Sequence, residues 1–202
     1  AKEAKVATGA TYYYYPSKES IIFDFYQELH REHLLALGEF LKTEESFEKR
    51  LHRVIKLKIQ LAEKHKFLSR ALFRVAANPL SPLSPFGEET RQIRLEAFEA
   101  FEQIVHGAVE KIHPDLKQVL PEYLWMYQMG IILFWIYDQS EESKRTYQLI
   151  DQSIPLIVFL LKKLQSPLAA PIRKKVLTIM RNFKGNLMDK DTQLVSKKER
   201  KK

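Results

Sequence analysis

AKEAKVATGATYYYYPSKESII, residues 1–22, opens the chain and decides how the rest is read. AKEA has the composition of a helix end, and KVA that of a tight connection. TGATYYYY then makes a short helix that Pro16 stops, since proline lacks the N–H that a helix interior requires. Ser17 stands at an N-cap position, with Lys18-Glu19-Ser20 as the first turn of a second, longer helix. Helix, short turn and short helix is the layout of a helix-turn-helix, whose second helix lies in the DNA major groove. Without these flanks, Tyr12 to Tyr15 could as well be a strand, a piece of core or a contact surface.

Downstream, apolar residues recur at helical steps. Ile22, Phe25, Tyr26, Leu29, His33, Leu37 and Phe40 place one stripe on a long helix over 17–42. A second helix is expected over about 44–64 with Leu51, Ile55, Ile59 and Ala62 on one row, and a third with Leu68, Leu72 and Val75. NPLSPLSPFGE, Asn78 to Glu88, breaks the pattern with proline and glycine and is a loop. Ile93 to Ile112 resumes helical spacing up to His113-Pro114. Residues 115–138 are apolar almost all round, which marks the most buried helix. Tyr147, Ile150, Ile154, Ile157, Leu161 and Leu164 form another stripe that Pro155 is expected to kink, and a last helix covers 170–183. The fold class is all-α.

The composition narrows the function. The chain has no cysteine, which removes thiolate metal sites, thiol catalysis and disulfide scaffolds and suits a cytoplasmic protein. Its most apolar run, Tyr123 to Tyr137, is interrupted by Gln128 and falls short of the roughly 20 residues that span a bilayer. No membrane partner is therefore expected. The net charge of +8 is not spread over the body: 11 of the 33 Lys/Arg and 3 of the 25 Asp/Glu lie from Arg173 onward, leaving 22 of each before it. The excess belongs to the last helix and to a basic tail over 185–202, which is expected to be disordered. GxGxxG, P-loop and GxSxG motifs are absent, and glycines number only six. His30 and His33 lack an acidic partner pattern that would make them metal ligands, and Glu28 with Glu32 reads as an ordinary helix face. Neither catalytic residues, nor a metal, nor a cofactor is indicated.

The opening stretch resembles the signature of the tetracycline-repressor (TetR) family of bacterial transcription factors, Ile-Ala-x-x-Ala-Gly-Val-Ser-x-Gly-x-Leu-Tyr-x-Tyr/His-Phe-x-x-Lys-x-x-Leu. Ala1, Ala4, Val6, Gly9, Tyr12, Tyr14, Lys18 and Ile22 match it in register, and Tyr15 stands where an aromatic belongs. Lys5, Ala7 and Thr11 depart from the turn glycine, the capping serine and the buried aliphatic residue; Thr8 is the alternative cap. The resemblance implies that Thr8 and Gly9 start the recognition helix and that Tyr13 reaches bases or sugar. It also implies that Tyr12, Tyr14 and Lys18 hold phosphate, while Tyr15 packs inward. Phenol hydroxyls donating to phosphate, and a lysine at a helix N-terminus, suit that task chemically. The family's first helix would precede Ala1, so residues 1–24 are expected to be a partial DNA-binding domain, continuing into the long helix.

The same resemblance implies that residues 25–184 form a helical domain that binds a small-molecule effector and dimerises. The surplus apolar surface of 115–138 and 141–165 suits a homodimer on a two-fold double-stranded DNA operator. A pocket among the middle helices would draw on Phe73, Phe98, Phe101, Trp125 and Tyr127, with His65 or His106 as polar anchors. The expected function is a repressor released by a hydrophobic or amphipathic effector. The alternative is a helical adaptor for membrane surfaces or proteins, built on Tyr123 to Tyr137 and the basic C-terminus, which leaves the opening motif unexplained.

Overall fold

The structure, a computed structural model, describes residues 18–78 and 80–183, with side chains from Ser20 onward. The recognition stretch before Lys18 and the basic tail lie outside the described residues. Among those described, the helical periodicities become helices and no strand forms. They are α1 (Lys18–Thr43), α2 (Phe47–Glu63), α3 (Lys66–Ala76), α4 (Arg91–His106), α5 (Pro114–Lys117), α6 (Leu120–Tyr137), α7 (Lys144–Gln165) and α8 (170–183).

Two boundaries differ from the sequence reading. Helix α4 ends at His106, and Ala108 and Ile112 follow in a loop rather than on its stripe. This loop is fixed by the start of α2: Glu110 accepts Phe47 N–H at 2.7 Å and Ser46 Oγ–H at 3.1 Å, and Val109 N–H donates to the Glu45 carbonyl at 2.9 Å. A carboxylate from elsewhere in the chain thus caps the helix, because the Ser46 side chain makes no cap bond of its own. The expected single helix over 115–138 is divided into α5 and α6, with Pro121 in the first turn of α6, where a missing N–H costs nothing. Pro155 lies inside α7, which continues past it with the proline exposed.

Helix α2 lies in the middle of the bundle, packed by α1, α3, α4, α6 and α7. Leu51, Val54 and Ile55 meet Phe101, Ile104, Trp135, Ile150 and Ile154 in the main core, all essentially without solvent exposure. Burying each such side chain contributes about 1.5–3 kcal/mol. A smaller cluster of Tyr26, Leu72, Ala76, Leu83 and Ile93 closes the corner between α1, α3 and α4. In α3 the buried row is Ser69, Leu72, Phe73 and Ala76, while Leu68 and Val75 face outward.

Arg50, in the first turn of α2, ties three chain segments together. Its guanidinium donates from Nε to the Glu44 carbonyl at 2.5 Å, from Nη1 to Gln103 at 2.9 Å and from Nη2 to Leu41 at 3.0 Å. One buried cation thereby binds carbonyls at the C-terminal ends of both α1 and α4, sharing that of Gln103 with the Gly107 N–H at 3.0 Å.

Candidate functional site

The loop after α3 is held down by its own side chains. Thr90 Oγ1 donates to the Ser84 carbonyl at 2.5 Å, and Arg94 Nη1 donates to the carbonyls of Pro85 at 2.8 Å and Gly87 at 2.9 Å. This presses Pro85 and Phe86 toward α6. Phe73, Ala76 and Ala77 around the end of α3, Ser84 to Phe86 of the loop, and Met129, Gly130, Ile132, Leu133 and Ile136 of α6 enclose a cavity of about 330 Å³. A more open depression of about 570 Å³ adjoins it at Gly130 and Leu133, bordered by Phe134, Tyr137, Asp138, Gln139 and Arg145. The inner cavity is the better ligand site, since its walls are almost wholly hydrocarbon and its size is at the lower end for small-molecule pockets.

The residues expected to line a pocket are dispersed. Phe73 lines the cavity and packs edge-on against Trp135, ring centroids 6.2 Å apart. Trp125 lies one layer behind it, between Phe86 at 5.3 Å and Phe98 at 5.2 Å, both edge-to-face. Phe101 lines a different, deeper void. Tyr127 is turned toward α7, sharing a 2.7 Å hydrogen bond with Ser153. His65 is exposed before α3 with its ring against Phe25 at 5.5 Å, and His106 is exposed at the end of α4. Neither histidine lines the cavity. Thr8, Gly9, Tyr12, Tyr13 and Tyr14 fall outside the described residues; Lys18 is the first residue of α1, with no side-chain description.

The deeper void, about 10 Å³, lies between α1, α2, α4 and α6 and is polar. His30 and His33 enter it from α1, Lys58 from α2 and Gln128 from α6. All four are at most 4% exposed. His33 Nε2–H donates to the Val54 carbonyl at 2.9 Å, which leaves its Nδ1 unprotonated. His30 Nε2 meets Glu96 at 3.1 Å. Lys58 Nζ and Gln128 Oε1 have no hydrogen-bond partner. Burial pushes Lys58 down to about 7. His30 is pushed down to about 4 by burial and by the Lys58 charge, against the pull of Glu96. Burial and Lys58 likewise hold His33 well below its ordinary value.

Sequence reading missed this cluster. Gln128, an amide inside the most apolar run, was the visible signal; Lys58 looked like any charged residue on a helix face. Among the described residues no group of three His, Cys, Asp or Glu side chains is arranged to hold a metal. No single described helix is long and apolar enough to cross a membrane. Apolar side chains remain uncovered on the last two helices: Leu156, Phe159 and Leu160 of α7, and Ile172, Ile179 and Phe183 of α8, are each exposed by half or more.

A family model described as tetracyclin repressor-like, C-terminal domain, matches residues 50–174. The chain belongs to the TetR family. The matched span begins at Arg50 and contains every cavity-lining residue, Lys58 and Gln128, and all of α7. The all-α fold is that of a TetR-like regulatory domain, and the chain is a regulator of this family. Comparison with curated proteins finds no match.

Proposed function

We propose that the protein is a DNA-binding transcriptional repressor, released from its operator by a small hydrophobic or amphipathic effector. The observation that carries this reading is the hydrocarbon-walled cavity of about 330 Å³ inside the matched TetR-like domain. Residues 1–24 contribute part of the helix-turn-helix, with Tyr12, Tyr14 and Lys18 on phosphates, Thr8 and Gly9 at the helix start and Tyr13 in the groove. Residues 25–184 hold the effector and pair with a second copy. The exposed apolar row of Leu156, Phe159 and Leu160 on α7 supports this pairing, since exposed apolar patches mark association sites.

The dimer sets two recognition helices about one DNA turn apart. An effector that prefers another spacing shifts the population away from the DNA-competent state by its difference in affinity for the two. Helix α1 transmits the change, since it lies against α2 and α4 at one end and leads directly from the DNA-reading stretch at the other. No bond-making step is required of the protein.

The test is a DNA mobility shift with the full-length protein. Binding should weaken steeply with salt and fall when Tyr13 or Lys18 is replaced by alanine. Pelleting with lipid vesicles and no affinity for any DNA would sink the regulator reading in favour of the adaptor.

A further inference from the structure

A buried amine with no acid beside it is an incomplete ion pair. Lys58 is 4% exposed and its Nζ has no hydrogen-bond partner, and Gln128 Oε1, 3% exposed, also has none. The groups facing Lys58 across the void are His30 and His33 from α1, Phe101 and Ala97 from α4, and Gln128 from α6. Among the described residues the one carboxylate acting on the cluster is Glu96 of α4, and it is engaged with His30 and with Gln92. Natural proteins seldom retain such a lysine without a task, because desolvating its charge is costly.

The void and the apolar cavity both border α6, at Gln128 and at Met129 to Ile136. A third space of about 20 Å³, lined by Tyr26, Leu72, Phe73, Ala76, Pro85 and Met129, shares Phe73, Ala76, Pro85 and Met129 with the larger cavity. Tyr26 is one turn before His30 on α1, and Met129 adjoins Gln128 on α6. The third space thus joins the cavity, and it neighbours the polar void along both α1 and α6.

We propose that the effector is an apolar-bodied carboxylic acid whose carboxylate pairs with Lys58, its hydrocarbon part lying toward the cavity. This rests on the effector reading above and specifies the chemistry of its ligand. Lys58 supplies the charge, and the Gln128 amide, once turned over to exchange Oε1 for Nε2, supplies an N–H donor. At about 10 Å³ the void holds no more than a water, so the carboxylate enters only by parting α1 from α2 and α6. Ligand capture and displacement of α1 are then the same event.

Isothermal titration with octanoate, octan-1-ol and octylamine tests the inference. Octanoate should bind more tightly than octan-1-ol by about tenfold or more, the equivalent of one ion pair. Lys58→Met should abolish that preference while leaving the affinity for octan-1-ol unchanged. At about pH 8, where the free lysine is mostly neutral, octanoate binding should take up a proton, seen as a heat that depends on the buffer. Equal affinity for acid and alcohol in both proteins would overturn the inference and leave the effector reading intact. So would octylamine binding most tightly. No saturable binding of any probe, with DNA binding intact, would overturn both.

Discussion

Replacing Lys58 with methionine should make the protein more stable, by an amount that depends on pH. A native value of about 7 against the ordinary 10.5 means that the unfolded lysine holds a proton which the native one gives up between those values. In that window stability rises with pH, because the unfolded state binds more protons. The cost of burying Lys58 is fully present below about pH 7 and vanishes above about 10.5. From those two values it amounts to about 4 kcal/mol at pH 7 and about 2 kcal/mol at pH 9. Methionine fills a similar length without a charge, so Lys58→Met should gain about 2–4 kcal/mol at pH 7 and roughly half that at pH 9, once local relaxation is allowed for. Urea unfolding followed by circular dichroism, at both pH values, measures the difference directly. A variant no more stable than the parent at pH 7, or a gap that ignores pH, would refute the assignment of Lys58 as a buried, unpaired amine.

Further expectations concern the frame around the site. Arg50→Met removes the donor to the half-buried Leu41 and Glu44 carbonyls and one of two donors to Gln103, and should cost about 2–4 kcal/mol, read from the urea midpoint. A Cβ on Gly107 would overlap Arg50 Nη1 and approach the Gln103 carbonyl to 2.9 Å. Gly107→Ala should therefore cost about 1–3 kcal/mol, and less than that in an Arg50→Met background, since both changes act on one contact. Leu156→Glu combined with Phe159→Glu should yield monomers by analytical ultracentrifugation with unchanged helix content. Dimers persisting in that variant would mean that the uncovered face of α7 is not the pairing surface.

The fold was largely legible because burial in a helical bundle writes itself as a period. Leu29, His33 and Leu37 of α1, and Leu51, Ile55 and Ile59 of α2, were read on the inner stripe and are buried there. Periodicity failed where one helix is covered from several sides. Helix α2 buries Arg50 and Lys58 as well as its apolar row, since its neighbours surround it; from sequence those two charges looked solvated. Helix α6 failed for the opposite reason. It is apolar on every side, so no pattern could separate the cavity wall of Met129, Ile132 and Ile136 from Trp125 and Tyr127. Large aromatic residues drew the sequence reading toward Phe98 and Tyr127, whereas the cavity is bounded mainly by aliphatic residues and the Phe86 of a proline-rich loop. The opening motif, the most specific feature of the sequence, lies outside the described residues; the family was decided by the helices that follow it.

The Arg50 clamp gives α1 a fulcrum. The guanidinium fixes the helix at Leu41, whereas its other end begins at Lys18. At 1.5 Å per residue, His33 lies about 12 Å from that fixed point and Lys18 about 35 Å. A swing about Leu41 that opens the polar void by about 1 Å at His33 carries Lys18 by about 3 Å. The mechanical advantage of the helix is thus set by where along its length the two histidines were placed.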